Sequence, residues 1–334
     1  MKKTHKATNV FLAFALTCSM VFSPLTSAME VRAEEQAAVQ LDENYFPDGI
    51  FREYVKNFDS DKDNILSQQE ISKATEIYLD GGDDGQSGKI TSLKGIEYLT
   101  NVERITLNFV GITDLNLKEN KKLKTLHLVG VKLTELNLDE NIGLTHLKIG
   151  DANLKKLNMS PLTNLKKLNL SNAGDITEID LSNNHQLEGV LISGLKKLKS
   201  FTMGENEKLR NLYINGSRLK SFKTGKLSNI YGMGIIQDKK LKSLNTKNMP
   251  SLVKLDVSGS NLEKLNVSGS RKLVKLRCAG NKLKNLNLSK NKKLRVLYCK
   301  NNKIKTLNIS KTKLKKKTVK CDKKVKLVKK SKSK

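Results

Sequence analysis

A repeat of 21 residues constrains this chain more than any other feature. Within Leu273–Ser310 the same pattern occurs twice, with Leu273, Leu276, Cys278, Asn281 and Leu283 recurring as Leu294, Leu297, Cys299, Asn302 and Ile304. A fixed period near 20 residues is typical of a solenoid, in which successive coils stack and share one core. Earlier coils of 21 or 22 residues begin at Leu252, Ile230, Leu209, Leu187, Leu165, Leu144, Leu123 and Val102. The period predicts about ten coils over residues 101–313.

Each coil also contains a shorter repeat. The pattern Leu-x-x-Leu-x-Leu begins at Leu123, again ten residues later at Leu133, and at Leu283 in the ninth coil. An alternation of this kind places both leucines on one face of a short strand. Two such segments in each coil leave no room for a helix. The chain is therefore predicted to be a mostly β solenoid with parallel strands on two faces and little helix. Asparagines at the corners are expected to tie successive turns together.

The pattern Leu-x-x-Leu-x-Leu-x-x-Asn-x-Leu resembles the leucine-rich repeat. Its doubled form is similar to a bacterial class with a nested ten-plus-eleven period, and the resemblance covers roughly two thirds of the chain. In curved members of that superfamily, helices on the convex side are wider than the strands. Without helices, the resemblance implies coils that stack almost straight, about 4.8 Å apart, in a rod of roughly 50 Å.

Residues 1–33 have the features of a signal peptide. A basic start, MKKTHK, precedes the apolar stretch Val10–Phe22, and small residues allow cleavage after Ala28 or Ala33. The alternative is a retained membrane anchor. We expect an exported protein that is secreted or associated with the cell wall, with no transmembrane segment in the mature chain.

Residues 34–100 are predicted to form an N-terminal cap with one EF-hand-like calcium loop. A short amphipathic helix around Phe51 precedes Asp59–Glu70, which matches the twelve-residue loop except that Asn64 stands where glycine is usual. Calcium requires six to eight oxygen ligands, and asparagine tolerates the positive φ of that position. The ligands expected by position are Asp59, Asp61, Asp63, the Ile65 carbonyl, Ser67 and Glu70. The alternative is a loop that caps the solenoid without metal.

This cap resembles those on exported leucine-rich-repeat proteins of Gram-positive bacteria. A cap is physically required because the first coil would otherwise expose its leucines. The acidic loop that follows, with Asp80, Asp83 and Asp84, could add metal ligands, or it is simply solvated.

Charge is distributed unevenly along the chain. Residues 34–100 contain 15 acidic and 6 basic side chains, whereas residues 101–334 contain 17 acidic and 52 basic ones. The last 24 residues carry 13 lysines and one aspartate. This field favours anionic polymers such as wall polymers; the alternative is a solvated lysine-rich face. Nucleic acid is disfavoured as a partner, because the interleaved aromatic residues of single-strand binders are missing.

The residues between the inward leucines of each first strand form a varied outward column, as expected of a recognition surface. Drift in a surface that binds nothing would also vary it. The residues that we select for a ligand-binding face are His127, Lys148, Tyr213, Arg277 and Tyr298. On the second strand the column is almost uniformly asparagine, for which we predict stacked amide hydrogen bonds.

Residues 314–334 are expected to add a last strand, with Val319 and Cys321 in register, and a basic tail. Cys278, Cys299 and Cys321 then form one column and are interpreted as buried free thiols. No catalytic motif accompanies the histidines, so we expect no enzyme. The sequence predicts a monomeric, non-catalytic protein that binds protein or glycan partners, with calcium as a structural cofactor. The alternative is a cell-envelope scaffold held electrostatically to anionic wall polymers.

Overall fold

The computed structural model describes residues 38–82, 85 and 87–329. The predicted signal peptide, Asp83, Asp84 and the last five residues lie outside this range. The described residues belong to one compact unit. It is a β-solenoid, as predicted, and among the described residues α-helix is confined to α1 (Gly49–Val55) and α2 (Gln68–Lys73).

The first strand of each coil belongs to one continuous parallel sheet, the main sheet. Leu126 pairs with Ile105 on one side and with Leu147 on the other, and the same register continues from coil to coil. With strands numbered in chain order, the main sheet contains, among the described residues, β3 (Glu76–Asp80), β4 (Arg104–Asn108), β5 (Thr125–Val129), β6 (His146–Gly150), β7 (Lys167–Ser171), β9 (Gly189–Ser193), β11 (Asn211–Asn215), β13 (Gly232–Ile236), β15 (Lys254–Asp256), β17 (Lys275–Arg277), β18 (Val296–Tyr298) and β20 (Val319–Lys320).

The second strand of each coil forms a broken ladder. In the described part of the chain it consists of three separate parallel sheets: β8 (Glu178–Leu181), β10 (Ser200–Met203) and β12 (Ser221–Lys223); β14 (Ser243–Asn245) and β16 (Lys264–Asn266); β19 (Thr306–Asn308) and β21 (Lys326–Val328). The equivalent segments of the first coils carry the same leucine pattern but have no assigned strand. The two predicted faces are therefore present, and only the main sheet is continuous.

Leucines from both faces fill one shared interior. Leu126 and Leu128 of the first face are fully buried, and so is Leu133, at 1% exposure, on the way to the second. Burial of each such side chain is worth about 1.5–3 kcal/mol relative to an exposed one. Because each coil covers only its neighbours, this contribution accumulates along the stack.

Buried asparagines join successive coils at one corner. The Nδ2 atom of Asn141 donates to the carbonyl oxygens of Leu117 and Asn120, at 2.9 and 3.0 Å, and both acceptors lie in the preceding coil. Asn120, Asn184, Asn206 and Asn291 make equivalent bonds. This confirms the prediction that asparagines tie the turns together, since an unpaired buried carbonyl would be costly.

The asparagine column on the second strand behaves differently from our prediction of stacked amides. Asn287 Oδ1 accepts a hydrogen bond from the backbone N–H of Ser289, two residues on, and Asn116, Asn137, Asn245, Asn266 and Asn308 do the same with their own coils. These are turns stabilised within one coil, so the prediction was wrong for this column. An exposed side chain next to a turn finds its own backbone before it reaches the next coil.

The ends of the unit continue the main sheet. At the N-terminal end, β3 pairs with β4 and buries Ile77 and Leu79, and α1 packs with Phe51 and Val55 buried. At the C-terminal end, Val319 pairs with Leu297, the register that the sequence predicted. Two further short strands, β1 (Val39–Gln40) and β2 (Ile65–Leu66), pair with each other near the predicted calcium loop.

Candidate metal centre and binding face

The loop Asp59–Glu70 turns sharply at the position where glycine is usual. Asn64 has a φ of 62°, and its N–H donates to Oδ2 of Asp59 at 2.9 Å. Asparagine adopts this left-handed conformation more readily than most residues. The substitution for glycine is therefore accommodated, and the turn brings the first and sixth loop positions together.

Three carboxylates converge inside this turn. Asp59, Asp61 and Asp63 each place one carboxylate oxygen within 4.8 Å of the others. Asp59 is only 6% exposed, and its Oδ1 atom is buried without a hydrogen-bond partner among the described residues. A buried, unpaired carboxylate oxygen is expensive unless a cation binds to it. Residues of this kind fit a hard cation such as calcium.

The charges of the cluster also act on one another. Partial desolvation, followed by the neighbouring charges of Asp63 and Glu70, raises the pKa of Asp61 above its usual value. Anions held close together disfavour ionisation of each other, and a bound cation would relieve this repulsion.

Glu70, the twelfth loop residue, is already fixed by the protein. Its carboxylate accepts hydrogen bonds from the hydroxyl and N–H of Ser60 and from the N–H and hydroxyl of Ser67, at 2.6–3.0 Å. These bonds, those from Ser60 first, lower its pKa to about 2. Ser67 is the N-cap of α2 and forms a capping box with Glu70. Ser67 is thus engaged in capping, which is consistent with contact to a metal only through water.

The next part of the loop is held by the N-terminal strand. Ile65 and Leu66 in β2 pair with Gln40 and Val39 in β1, and the N–H of Leu41 donates to the Asn64 carbonyl at 2.9 Å. Leu66 is fully buried. The loop is therefore supported from outside its own helices, although no second calcium loop is present among the described residues.

A groove of about 620 Å³ crosses the outward face of the main sheet between β5 and β11. It brings together three of the five residues selected for the binding face, His127, Lys148 and Tyr213. Its other lining side chains come from the same strands and from the turns before them, and include His146, Lys167, Asn169, Glu188, Leu191, Arg210 and Asn211.

The histidines of the groove are held towards the neutral form. Desolvation, followed by the charges of Lys148, His146 and Arg104, lowers the pKa of His127. Desolvation and the charges of Lys167 and Lys166 lower the pKa of His146, against a smaller opposite effect of Glu188. In both cases desolvation is the larger cause, and the neighbouring cations act in the same direction.

Arg277 and Tyr298 lie apart from this groove, on β17 and β18. The Arg277 guanidinium stands 5.4 Å from the centre of the Tyr298 ring, and its Nη1 lies 3.6 Å from Oδ2 of Asp256 on β15. The two residues thus interact with each other and with Asp256. The structure does not place them with the other three.

Sequence reasoning missed the first outward position of each strand. Lys167 and Asn169 both point outward from β7 because Leu168 between them is buried. Our selection considered only the middle outward position of each strand, which is Asn169 in β7. It therefore overlooked Lys167 and its neighbour in β9, Gly189, which has no side chain. The signal was available in the alternation itself, which turns three residues outward in a five-residue strand such as β7.

In the described part of the chain, no helix is long and apolar enough to cross a membrane. No family model matches the sequence. No curated protein matches it either.

Solved structures do share the fold. An internalin of Listeria monocytogenes, InlF, superposes with a TM-score of 0.55 at 20% identity, over 87% of this chain and 97% of that one. The leucine-rich-repeat domain of APL1B gives 0.51 at 16% identity, over 70% and 88%. A chain of the Toll–Spätzle complex of Drosophila gives 0.52 at 16% identity, over 67% and 36%. The protein is therefore a leucine-rich-repeat solenoid with a fold similar to that of internalins.

Proposed function

We propose that this protein is an exported, non-catalytic binding protein that holds a protein or glycan partner on the outward face of its main sheet. The observation that supports this most directly is the groove between β5 and β11, because it combines cationic, polar and exposed apolar side chains on a continuous sheet. A regular sheet presents such side chains at fixed spacing, which suits recognition of an extended surface.

The similar folds support the same assignment. One of them was solved as a complex, Toll with Spätzle, and another is an internalin. The predicted signal peptide supports a secreted or cell-wall location. The groove is open and contains no combination of a nucleophile with an oriented base, which supports binding rather than catalysis.

We further propose that the loop Asp59–Glu70 binds calcium as a structural cofactor of the cap. Asp59, Asp61, Asp63 and Glu70 would supply carboxylate oxygens, Ile65 its carbonyl, and Ser67 a contact through water. Bound calcium would neutralise the converging carboxylates and would coordinate Asp59 Oδ1, which accepts no hydrogen bond among the described residues. The expected effect is stabilisation of the cap, with no change in the groove.

The binding face can be tested by capture from cell-wall and host extracts at physiological salt. The wild-type protein is compared with a triple variant of the groove, His127→Ala, Lys148→Ala and Tyr213→Ala. A matched variant of the second ladder replaces Lys223, Asn245 and Asn266 with alanine. We expect the groove variant alone to lose its partner. Equal capture by all three proteins would contradict the proposal.

The excess of basic residues supports a second candidate, a cell-envelope scaffold bound to anionic wall polymers. Residues 101–334 carry 52 basic and 17 acidic side chains, and such a charge attracts polyanions over a Debye length of about 10 Å at 0.1 M salt. Retention on cell walls is measured for the wild type and for a variant that lacks residues 314–334. If the wild type is released at moderate salt and the deletion variant is already released at low salt, charge alone explains binding and the scaffold is favoured.

A further inference from the structure

The floor of the groove is a strand position without a side chain. Gly189 stands in β9 between Lys167 of β7 and Asn211 of β11. A Cβ atom built at Gly189 would have no heavy atom within 4 Å. The two adjacent strands carry the side chains of Lys167 and Asn211 at the equivalent positions, so Gly189 leaves an open depression between them in the sheet surface.

Cationic side chains lie on both sides of the depression. Lys148 and Lys167 are exposed and stand on neighbouring strands, and Arg210 lies on the opposite side just before β11. Glu188 is the one acidic side chain among the residues that line the groove. The lining therefore has a net positive charge, in agreement with the lowered pKa values of His127 and His146.

On the far side of β11 from Gly189, the groove is bordered by the ring of Tyr213. A Cβ at Gly232 would lie 2.7 Å from the Tyr213 hydroxyl oxygen, and one at Gly234 would lie 2.7 Å from its Cδ1. The ring therefore lies along β13, over two residues that have no side chains. Beside it, Leu191 is 43% exposed. Together they form an apolar platform next to the cations.

Two amides complete the surroundings. Asn169 and Asn211 line the groove on the strands that flank Gly189. Each side-chain amide offers two N–H donors and one carbonyl oxygen acceptor. The depression thus combines an aromatic platform, side-chain amides and cations within the width of a few strands, each strand being about 4.8 Å from the next.

We propose that this groove binds an acidic saccharide, one sugar ring lying over Gly189 and Leu191 with its acid group facing Lys148 and Lys167, and a neighbouring sugar ring reaching Tyr213. The apolar C–H face of a pyranose packs on an aromatic ring, its hydroxyl groups pair with amides and carboxylates, and its acid group pairs with ammonium groups. An acidic peptide would satisfy the cations but has no ring to place on the platform. The inference rests on the proposed function and names the ligand class of the same face.

The test is direct binding of the purified chain to a defined probe, hexagalacturonic acid, measured by calorimetry at about 0.15 M salt. Hexaglutamate, with six side-chain carboxylates and no sugar ring, serves as the comparison. Gly189→Leu fills the depression with a side chain that the fold has room for, and Thr306→Leu adds the same side chain on the second ladder as a control. Lys148→Gln with Lys167→Gln is compared with Lys155→Gln with Lys284→Gln, which removes equal charge elsewhere.

We expect hexagalacturonic acid to bind at least about tenfold more tightly than hexaglutamate, and Gly189→Leu to weaken it by about tenfold or more. The Thr306→Leu and Lys155→Gln/Lys284→Gln variants should stay within about twofold of the wild type. Equal affinity for both probes, equal loss in the two lysine pairs, or unchanged binding of Gly189→Leu would overturn the inference. No binding of the sugar, with capture from extracts still dependent on the groove, would remove the ligand class and leave the proposed function standing.

Discussion

The ring of Tyr213 occupies the space that a side chain at Gly232 would need, with its hydroxyl oxygen 2.7 Å from the Cβ position of that glycine. Tyr213 and Gly232 are therefore linked across neighbouring strands: the orientation of the ring depends on the absence of a methyl group. An aromatic side chain can rotate more easily than the backbone can move. A side chain at position 232 would therefore displace the Tyr213 ring and leave the strand in place.

Gly232→Ala should displace the Tyr213 ring. We expect a loss of about 0.5–1.5 kcal/mol in the free energy of unfolding, from the unfavourable rotamer that the ring must adopt. In a Tyr213→Ala background the same change should cost less, since only the contact with Asn211 Oδ1, 2.8 Å from the Cβ position, remains. Chemical denaturation of the four proteins gives this coupling. Gly189→Ala, which meets no atom, is the control, and additive effects of the two changes would contradict the prediction.

Calcium should stabilise the cap. For a dissociation constant of roughly 10⁻⁴–10⁻³ M, about 10 mM calcium adds about 1–3 kcal/mol to the free energy of unfolding. Asp61→Asn should abolish this increment without lowering stability in chelator, because the only bond that Asp61 accepts in the described structure comes from the N–H of Asp63, at 3.3 Å. Melting curves with calcium and with chelator measure both effects, and Asp114→Asn on the solenoid is the control.

Glu70→Gln is a less clean variant of the same loop. Its carboxylate accepts four hydrogen bonds from Ser60 and Ser67, so the change should destabilise the cap even in chelator. A calcium increment that survives in both Asp61→Asn and Glu70→Gln would show that the ion does not bind in this loop.

Two asparagines four residues apart should differ sharply in their effect on stability. Asn291 is fully buried and donates to the carbonyls of Val267 and Ser270 at 2.8 and 2.9 Å, whereas Asn287 is exposed and accepts from its own coil. Asn291→Ala should cost about 2–3 kcal/mol, because it leaves buried carbonyls short of donors. Asn287→Ala should cost about 0.5–1 kcal/mol. Urea titration checks this; similar losses would refute the inter-coil role.

The three cysteines that follow the predicted signal peptide, of four in the sequence, should differ in reactivity. Burial raises the pKa of Cys278 well above its usual value and that of Cys299 to about 12, while Cys321 is only partly buried. The thiolate is the reactive form, so native protein treated with iodoacetamide near pH 8 should be modified at Cys321 alone. Peptide mass spectrometry locates the adducts. Denaturant should make all three react, and early modification of Cys278 would disprove its burial.

The histidines of the groove should titrate below their usual pKa. Proton NMR should place His127 and His146 below about 6.5, and Lys148→Gln should raise the pKa of His127 part of the way back, since desolvation remains. The folded state then binds fewer protons than the unfolded state. The resulting stability is complete above about pH 6.5 and is lost as the pH falls towards the folded values. Lys284→Gln should leave both histidines unchanged.

Strand pairing and register in the solenoid could be predicted from individual positions of the repeat. The column from Leu276 to Leu297 predicted parallel strands in register, and the structure confirms both the pairing and the free, stacked positions of Cys278 and Cys299. The turn at Asn64 follows from its place as the sixth residue of the twelve-residue loop, where asparagine tolerates the φ of 62°. In each case the determining interaction lies within one repeat or between identical positions of adjacent repeats.

The binding face could be predicted only in part. Outward residues are not constrained by the core, so their sequence says which side they are on and nothing about what lies beside them. Tyr213 was selected for its type, but the place of its ring over β13 depends on Gly232 and Gly234, some 20 residues away. Arg277 was selected in the same way, and it pairs with Tyr298 and Asp256 instead.

The periodic leucines by themselves determined the coil, its register and the shared interior, because burying one apolar face at a fixed spacing admits few other arrangements. Only the tertiary structure decided which second-strand segments pair, which asparagines cross between coils, and where the bare position of Gly189 opens a groove. Those outcomes depend on how side chains from two or more coils meet, and a period describes each coil separately.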